Sequence, residues 1–181
     1  MELISYQSII DFLKEGSINP KHPFHWPALS TVATNSSPQS RIVVLRNFEN
    51  DTCTVFTDLR SRKCQEITNN NRVSLLFFNS NTMSQIRAKG IAKIISDGAY
   101  LARLWDEMSS RKHGDYQTLG APGQPFSAQK ASQQTHLEKT HFGVIEIQNF
   151  EYDYLKITRS GHLRQRVFLK NNEWCVERLI P

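Results

Sequence analysis

Cysteine is scarce in this chain, and nothing in its spacing suggests pairing. Cys53, Cys64 and Cys175 are the only three, they lie far apart, and no Cys-x-x-Cys occurs. An odd, scattered set argues against a disulfide frame and for reduced thiols in a cytoplasmic protein. No apolar run is long enough to cross a bilayer. The start, Met1-Glu2-Leu3-Ile4-Ser5, lacks the basic and apolar regions of a secretory leader. Like charges never form a block, so a basic arm for nucleic acid is not expected. No Gly-rich turn joins a strand to a helix, which disfavours a dinucleotide-binding α/β sheet. The Gly-x-Ser-x-Gly elbow of serine hydrolases is missing, as is any internal repeat. His22 and His25 sit in a proline-punctuated loop with no cysteine or carboxylate cluster beside them, so no metal site is expected.

What is present fits one domain over residues 1–181, long enough to bury a core without metals or disulfides. The 22 basic residues outnumber the 17 acidic ones for a formal charge of +5. That mild excess favours a small anionic partner.

The pattern along the chain is mainly β. Ser5–Glu15 has helical apolar spacing, with Gly16 as a natural stop. Strands are expected at Ala28–Thr34, Ser40–Asn47, Thr52–Asp58, Val73–Phe78 and Ile86–Ile95. Further strands are expected at Phe142–Gln148, Tyr152–Ile157, Leu163–Leu169 and Trp174–Leu179, with turns at Asn35–Pro38, Asn50-Asp51 and Asn171-Asn172. Ser61 is positioned to cap a short helix to Asn69, and Asp97 to cap one carrying Leu101, Leu104 and Trp105. Residues 109–139 are polar and rich in Gly, Ser and Gln, as functional or mobile loops are. Many strands with few helices indicate a mostly antiparallel barrel or sandwich.

Chemistry concentrates between Arg41 and Arg87. If Ser61 caps a helix, Arg62 and Lys63 fall in its first turn, where cations oppose the helix dipole unless an anion occupies that end. A phosphate there receives a guanidinium fork, an ammonium and free N–H groups together. The alternative is a solvated helix start with two surface bases. Arg41 and Arg46 bracket an apolar strand and face opposite sides if it is regular, one toward a ligand or both into water. Gln85 and Arg87 share a strand face, and an amide suits the edge of a heteroaromatic ring.

Arg41-x-x-x-x-Arg46, the strand end Phe56-Thr57-Asp58, then Ser61-Arg62-Lys63 and a strand carrying Gln85 together resemble the pyridoxamine 5'-phosphate oxidase superfamily. The ending Trp174-Cys-Val-Glu-Arg178-Leu179-Ile-Pro181 is similar to that family's closing strand. The resemblance runs from Arg41 to about Ile95 and resumes near Phe142. It implies an FMN-binding split β-barrel, mainly β with flanking helices, that works as a homodimer with flavin sites at the subunit interface. By position, Arg41 with Ile42, Val43 and Val44 lines the flavin, beside Arg46 where the oxidase has lysine. Phe56 and Thr57 flank the ribityl phosphate, Ser61 opens the phosphate-binding turn, and Arg62 and Lys63 hold the phosphate. Gln85 reaches the ring from the partner chain, and Arg166 stands at another flavin-contacting arginine.

The chain also departs from the oxidase. It reads His162-Leu163-Arg164 where the oxidase has Arg-Leu-His, and a flavin-packing tryptophan is replaced near Asp153 or Tyr154. Arg103, Glu107 and Arg111 do not match the vitamer-phosphate residues. The segment from Trp105 through Arg111 and Tyr116 to Pro122-Gly123 resembles an oxidase-related subfamily of undefined substrate, in which Arg111 and Tyr116 contact the cofactor from the other subunit. The implied function is a flavin oxidoreductase acting on a small molecule. A true pyridoxamine or pyridoxine 5'-phosphate oxidase and a non-catalytic flavin binder are the alternatives.

Overall fold

Nine strands and three α-helices make up the computed structural model, which describes residues 3–125 and 140–181, with apolar side chains alternating clearly along strands such as β5 and β6. In chain order these are α1 (Tyr6–Ile18), β1 (Ala28–Val32), β2 (Pro38–Ile42), β3 (Asn47–Glu49), β4 (Thr52–Asp58) and α2 (Arg62–Asn69). They continue with β5 (Arg72–Asn79), β6 (Ser84–Ile95), α3 (Ala99–Glu107), β7 (Phe142–Thr158), β8 (Gly161–Lys170) and β9 (Glu173–Leu179). A 3-10 segment, Ser110–Tyr116, follows α3. No helix among the described residues is long and apolar enough to cross a membrane.

All strand pairs are antiparallel, in the order β2-β1-β5-β6-β7-β4-β3, with β8 branching from β7 and β9 from β8. The path does not return on itself, so the barrel is split rather than closed. β7 organises it. Its first half pairs β4 (Cys53↔Ile147 to Asp58↔Phe142) and its second half pairs β8 (Tyr152↔Val167 to Thr158↔Gly161), while β6 follows both halves along the other edge.

The sequence pattern predicts two strands where β7 is one. Within the main core, burial falls on Ile145 and Ile147, then on Phe150, Tyr152 and Tyr154, a change of parity that reads as a break, while Phe142 and Val144 are buried in the second cluster. A register shift between Lys89 and Ile91 of β6 absorbs the extra residue, so the strand continues through a bulge. Gly90 sits there because a Cβ would lie 2.8 Å from the Gln148 carbonyl oxygen.

Three other expectations change. The run Arg41–Arg46 is not one regular strand: β2 ends at Ile42, and Val43, Leu45 and Arg46 donate their N–H groups to the carbonyls of Pro27, His25 and Thr54. The chain thereby crosses from the edge of one sheet half to the other, and the opposite-face rule for Arg41 and Arg46 does not apply. Gly16 does not stop α1, which runs to Ile18; it is buried where a Cβ would approach Phe24 Cβ to 2.9 Å. Gly98, at φ 92°, holds the N-cap position of α3 in place of Asp97.

Ser5 Oγ accepts from Ser8 N at 3.1 Å and caps α1, a role the sequence pattern did not single out. The expected turns form. Asn50-Asp51 (φ 49° and 54°) and Asn171-Asn172 (φ 51° and 66°) form tight hairpin turns with both central residues left-handed. The core lies between α1 and the sheet, with Ile9, Leu13, Phe24, Leu75, Phe77, Ile86 and Tyr152 buried. A second cluster joins Phe142, Val144 and Met108 to Phe56, Trp105 and Tyr116 beneath α3.

Candidate functional site

Where β4 ends, Leu59, Arg60 and Ser61 turn the chain into α2. Ser61 has the extended backbone of an N-cap (φ −67°, ψ 149°), yet its hydroxyl makes no cap bond. It lies 3.3 Å from Thr57 Oγ1 and donates to Cys64 Sγ at 3.4 Å. Cys64 N donates to the Ser61 carbonyl at 3.0 Å, so the Arg62 and Lys63 N–H groups are the ones left to another acceptor. Arg62 beside them is exposed and Lys63 half-buried. Lys63 has no hydrogen-bond or ion-pair partner among the described residues. Burial pushes its pKa below the usual lysine value; the Arg41 charge adds to that push, and the Asp58 and Glu66 carboxylates oppose it without overcoming it. Such an ammonium has no direct ion pair among the described residues, and an incoming anion supplies one.

Arg41 extends from β2 over the same helix. Its guanidinium donates to Thr31 Oγ1 and, at 2.8 Å, to Glu66 Oε2, while Thr31 Oγ1 donates to that carboxylate at 2.5 Å. Glu66 makes its ion pair with Arg41, and neither Lys63 nor Arg62 makes a direct ion pair among the described residues. A groove of about 380 Å³ runs beside them, lined by Asn35, Ser37, Gln39, Arg62, Gln65 and Glu66.

On the other side of the β4 end, Arg46 lies 5.3 Å over the Phe56 ring, and its buried Nε has no partner among the described residues. Phe56 and Tyr116 each meet Phe142 edge-on, with centroids 5.1 Å away in both cases. Burial raises the Tyr116 pKa, and the Arg46 charge opposes that rise. Arg46 is thus an incompletely satisfied cation against an aromatic wall.

The outer face of the sheet carries a separate group. Asp153 of β7 accepts from Arg87 and, at 2.8 Å, from Arg164. Across β8, Arg166 bonds Glu177 at 2.7 Å. Gln85 pairs in register with Phe78 and Leu155 on this face.

One chain therefore gathers Arg41, Phe56, Thr57, Ser61, Arg62, Lys63, Arg46 and Tyr116 around the junction of β4 and α2. Val43 is buried, Val44 half-buried, and Ile42 points outward and 63% exposed. Gln85 and Arg166 stand apart on β6 and β8, and Arg111 is exposed on the 3-10 segment without a partner among the described residues. Sequence reasoning assigned no role to Glu66, Asp153 or the Asp58–Arg60 pair. The Asp58-x-Arg60 spacing was visible, but its partners at Thr118 and Leu119 lie far along the chain.

This donor set, an unpaired ammonium and a guanidinium at an uncapped helix start beside a cation on aromatic rings, suits a planar group carrying a phosphate. The fold is that of split-barrel proteins. A pyridoxamine 5'-phosphate oxidase-related, FMN-binding protein from Nostoc punctiforme superposes over 100% of both chains, with a TM-score of 0.81 at 21% identity. PhzG from Burkholderia lata, solved with tetrahydrophenazine-1-carboxylic acid, superposes over 97% of this chain and 91% of its own, with a TM-score of 0.80 at 18% identity. The family model "Pyridoxamine 5'-phosphate oxidase, FMN-binding domain" matches residues 6–96. The pyridoxine/pyridoxamine 5'-phosphate oxidase of Shewanella halifaxensis is 34% identical over 85% of this chain and 78% of its own length. The enzyme of that name from Shewanella pealeana is also 34% identical, over 71% of this chain and 61% of its own length. The chain belongs to the pyridoxamine 5'-phosphate oxidase FMN-binding family.

Proposed function

We propose that the protein is an FMN-dependent oxidoreductase that acts as a cytoplasmic homodimer on a small molecule. The observation that supports the cofactor site is Lys63, a half-buried ammonium with no direct ion pair or hydrogen bond among the described residues, next to Arg62 at the start of α2, where Ser61 makes no side-chain cap bond. Arg62, Lys63 and the first-turn N–H groups hold the phosphate, with Thr57 and Ser61 lining the floor. Arg41, fixed by Glu66, shapes the rim beside Ile42, Val43 and Val44. Phe56 and Arg46 border the ring side. FMN held there would supply the hydride and electron transfer, and the protein's part is to orient, neutralise and exclude water.

A homodimer is supported by the outer sheet face. Ile42, Leu76 and Phe78 are exposed there at 63%, 37% and 47%. Ile42 and Leu76 lie in one row with Ala28 across β2, β1 and β5. A second copy covering this patch brings Gln85 and Arg166, and in this reading Arg111 as well, to a flavin held by its partner, while Tyr116 borders the site of its own chain. Unpaired Cys53, Cys64 and Cys175 are consistent with a reducing compartment.

The test is the absorption spectrum of the purified protein with added FMN, followed by anaerobic reduction. A bound, reducible flavin is expected, and a protein that takes up none overturns the reading. The relatives' shared name favours pyridoxine or pyridoxamine 5'-phosphate as a second reading of the substrate. Turnover of both vitamers by the holoprotein decides it.

A further inference from the structure

Arg60 lies between the phosphate cradle and the segment that follows α3, and it bonds to both. Its Nε and Nη2 grip the Asp58 carboxylate at 3.1 and 2.6 Å. Its Nη1 donates to the Thr118 and Leu119 carbonyls at 2.9 and 3.3 Å, and Nη2 also reaches Thr118 Oγ1 at 3.1 Å. Asp58 is buried and also accepts from Arg60 N at 2.8 Å, so the carboxylate is fixed by the turn it stabilises. A planar guanidinium used on two sides in this way is a fastener, and a lysine cannot reproduce it.

The fastened strap carries Tyr116. Two residues before Thr118, that ring packs on Phe142 and lies within electrostatic reach of both Arg46 and Asp58. The strap is also held by the packing of Tyr116 on Phe142 and Trp105 and by a backbone bond from His141 N to Tyr116 O at 2.8 Å, and the His141 carbonyl in turn accepts from Leu59 N at 2.9 Å. The β4–α2 turn, His141 and the strap thus form one closed circuit, with Arg60 supplying the side-chain link.

We propose that Arg60 is a positioning residue of the flavin site, latching the strap at Thr118 and Leu119 to the phosphate-binding turn so that Tyr116 stays beside Arg46 and Phe56. The proposal rests on the FMN reading above. Arg60 touches no cofactor atom in this scheme; it acts through the strap. Releasing the latch opens the rim and shortens the residence of whatever the cradle holds, with little change in how it arrives.

The test is stopped-flow dissociation and association of FMN with the full chain, as wild type, Arg60→Ala and Arg60→Lys, with hydrogen exchange read on residues 117–120. Both variants are expected to release FMN on the order of tenfold faster, equivalent to about 1.4 kcal/mol, with association unchanged and exchange at 117–120 accelerated. Arg60→Lys keeps the charge and loses the fork, so it also guards against a folding defect in the alanine variant. A wild-type dissociation rate in either variant, or unchanged exchange at 117–120, overturns the latch while leaving FMN binding intact. A wild-type chain that binds no FMN removes the flavin reading and the latch together.

Discussion

Arg41 Nη2 donates to Glu66 Oε2 across 2.8 Å, tying the edge strand β2 to the second turn of α2. The Glu66 carboxylate is almost fully buried and also accepts from Thr31. The pair holds the cradle's rim in place while cancelling one of its positive charges. Glu66→Gln keeps the shape and removes the charge, leaving Arg41 partly desolvated and unpaired. Equilibrium urea unfolding is expected to show a loss of about 1–3 kcal/mol, the range for hydrogen bonds to charged groups. An unchanged midpoint contradicts the structural weight given to the pair.

Lys63 has the opposite character, because its charge costs stability when no anion is bound. Lys63→Met is expected to raise the stability of the flavin-free protein by about 0.5–1 kcal/mol, as relieving a strained functional position commonly does. The same variant is expected to lose about tenfold or more in FMN affinity, since a charge-assisted contact is worth at least about 1.4 kcal/mol. Thermal unfolding without FMN and fluorescence titration with it measure the two effects, and a fall in both argues for a purely structural lysine.

The depressed Lys63 pKa also sets a pH dependence. Below the native value the ammonium is charged in both folded and unfolded states, and its full cost is present. Between the native value and the ordinary lysine value of about 10.4, the unfolded chain binds more protons, so stability from this group rises with pH. FMN binding works the other way. The phosphate favours the ammonium, so binding in that window takes up a proton and weakens as pH rises. Calorimetry in buffers of differing ionisation enthalpy is expected to show proton uptake that disappears in Lys63→Met.

Asp153 gives the acid-side counterpart. Burial raises its pKa, but the bonds from Arg164 and Arg87 outweigh that and hold it below the ordinary carboxylate range. Its contribution is present above about pH 4, the unfolded value, and is lost as pH falls through the lower native value. Asp153→Asn is expected to cost about 1–3 kcal/mol at neutral pH and to flatten the acid limb of the stability profile. An acid limb identical to wild type contradicts the clamp.

Local chemistry was legible in the sequence where neighbours in the chain decide it. The turns at Asn50-Asp51 and Asn171-Asn172 and the placement of α2 with Arg62 and Lys63 in its first turn follow from short-range rules. What escaped depends on distant partners. Arg41–Arg46 has the composition of a buried strand, but carbonyls of His25, Pro27 and Thr54 draw it out of a single ladder. The break between Ile147 and Phe150 was a parity change that only the facing strand β6 resolves into a bulge. Ser61 has a cap's backbone, yet the nearby Thr57 and Cys64 take its hydroxyl. Arg60 carries no assigned role in the sequence, because its partners Thr118 and Leu119 lie far along the chain.

The most direct measurement is FMN binding to wild type and to Arg62→Ala, followed by flavin fluorescence quenching with circular dichroism as the control for folding. Arg62 is exposed at the first position of α2, so its removal leaves the core untouched. The expected result is saturable binding by wild type and about tenfold or weaker binding by the variant, with identical folded spectra. Equal affinity in the two proteins contradicts a flavin phosphate held at the start of α2.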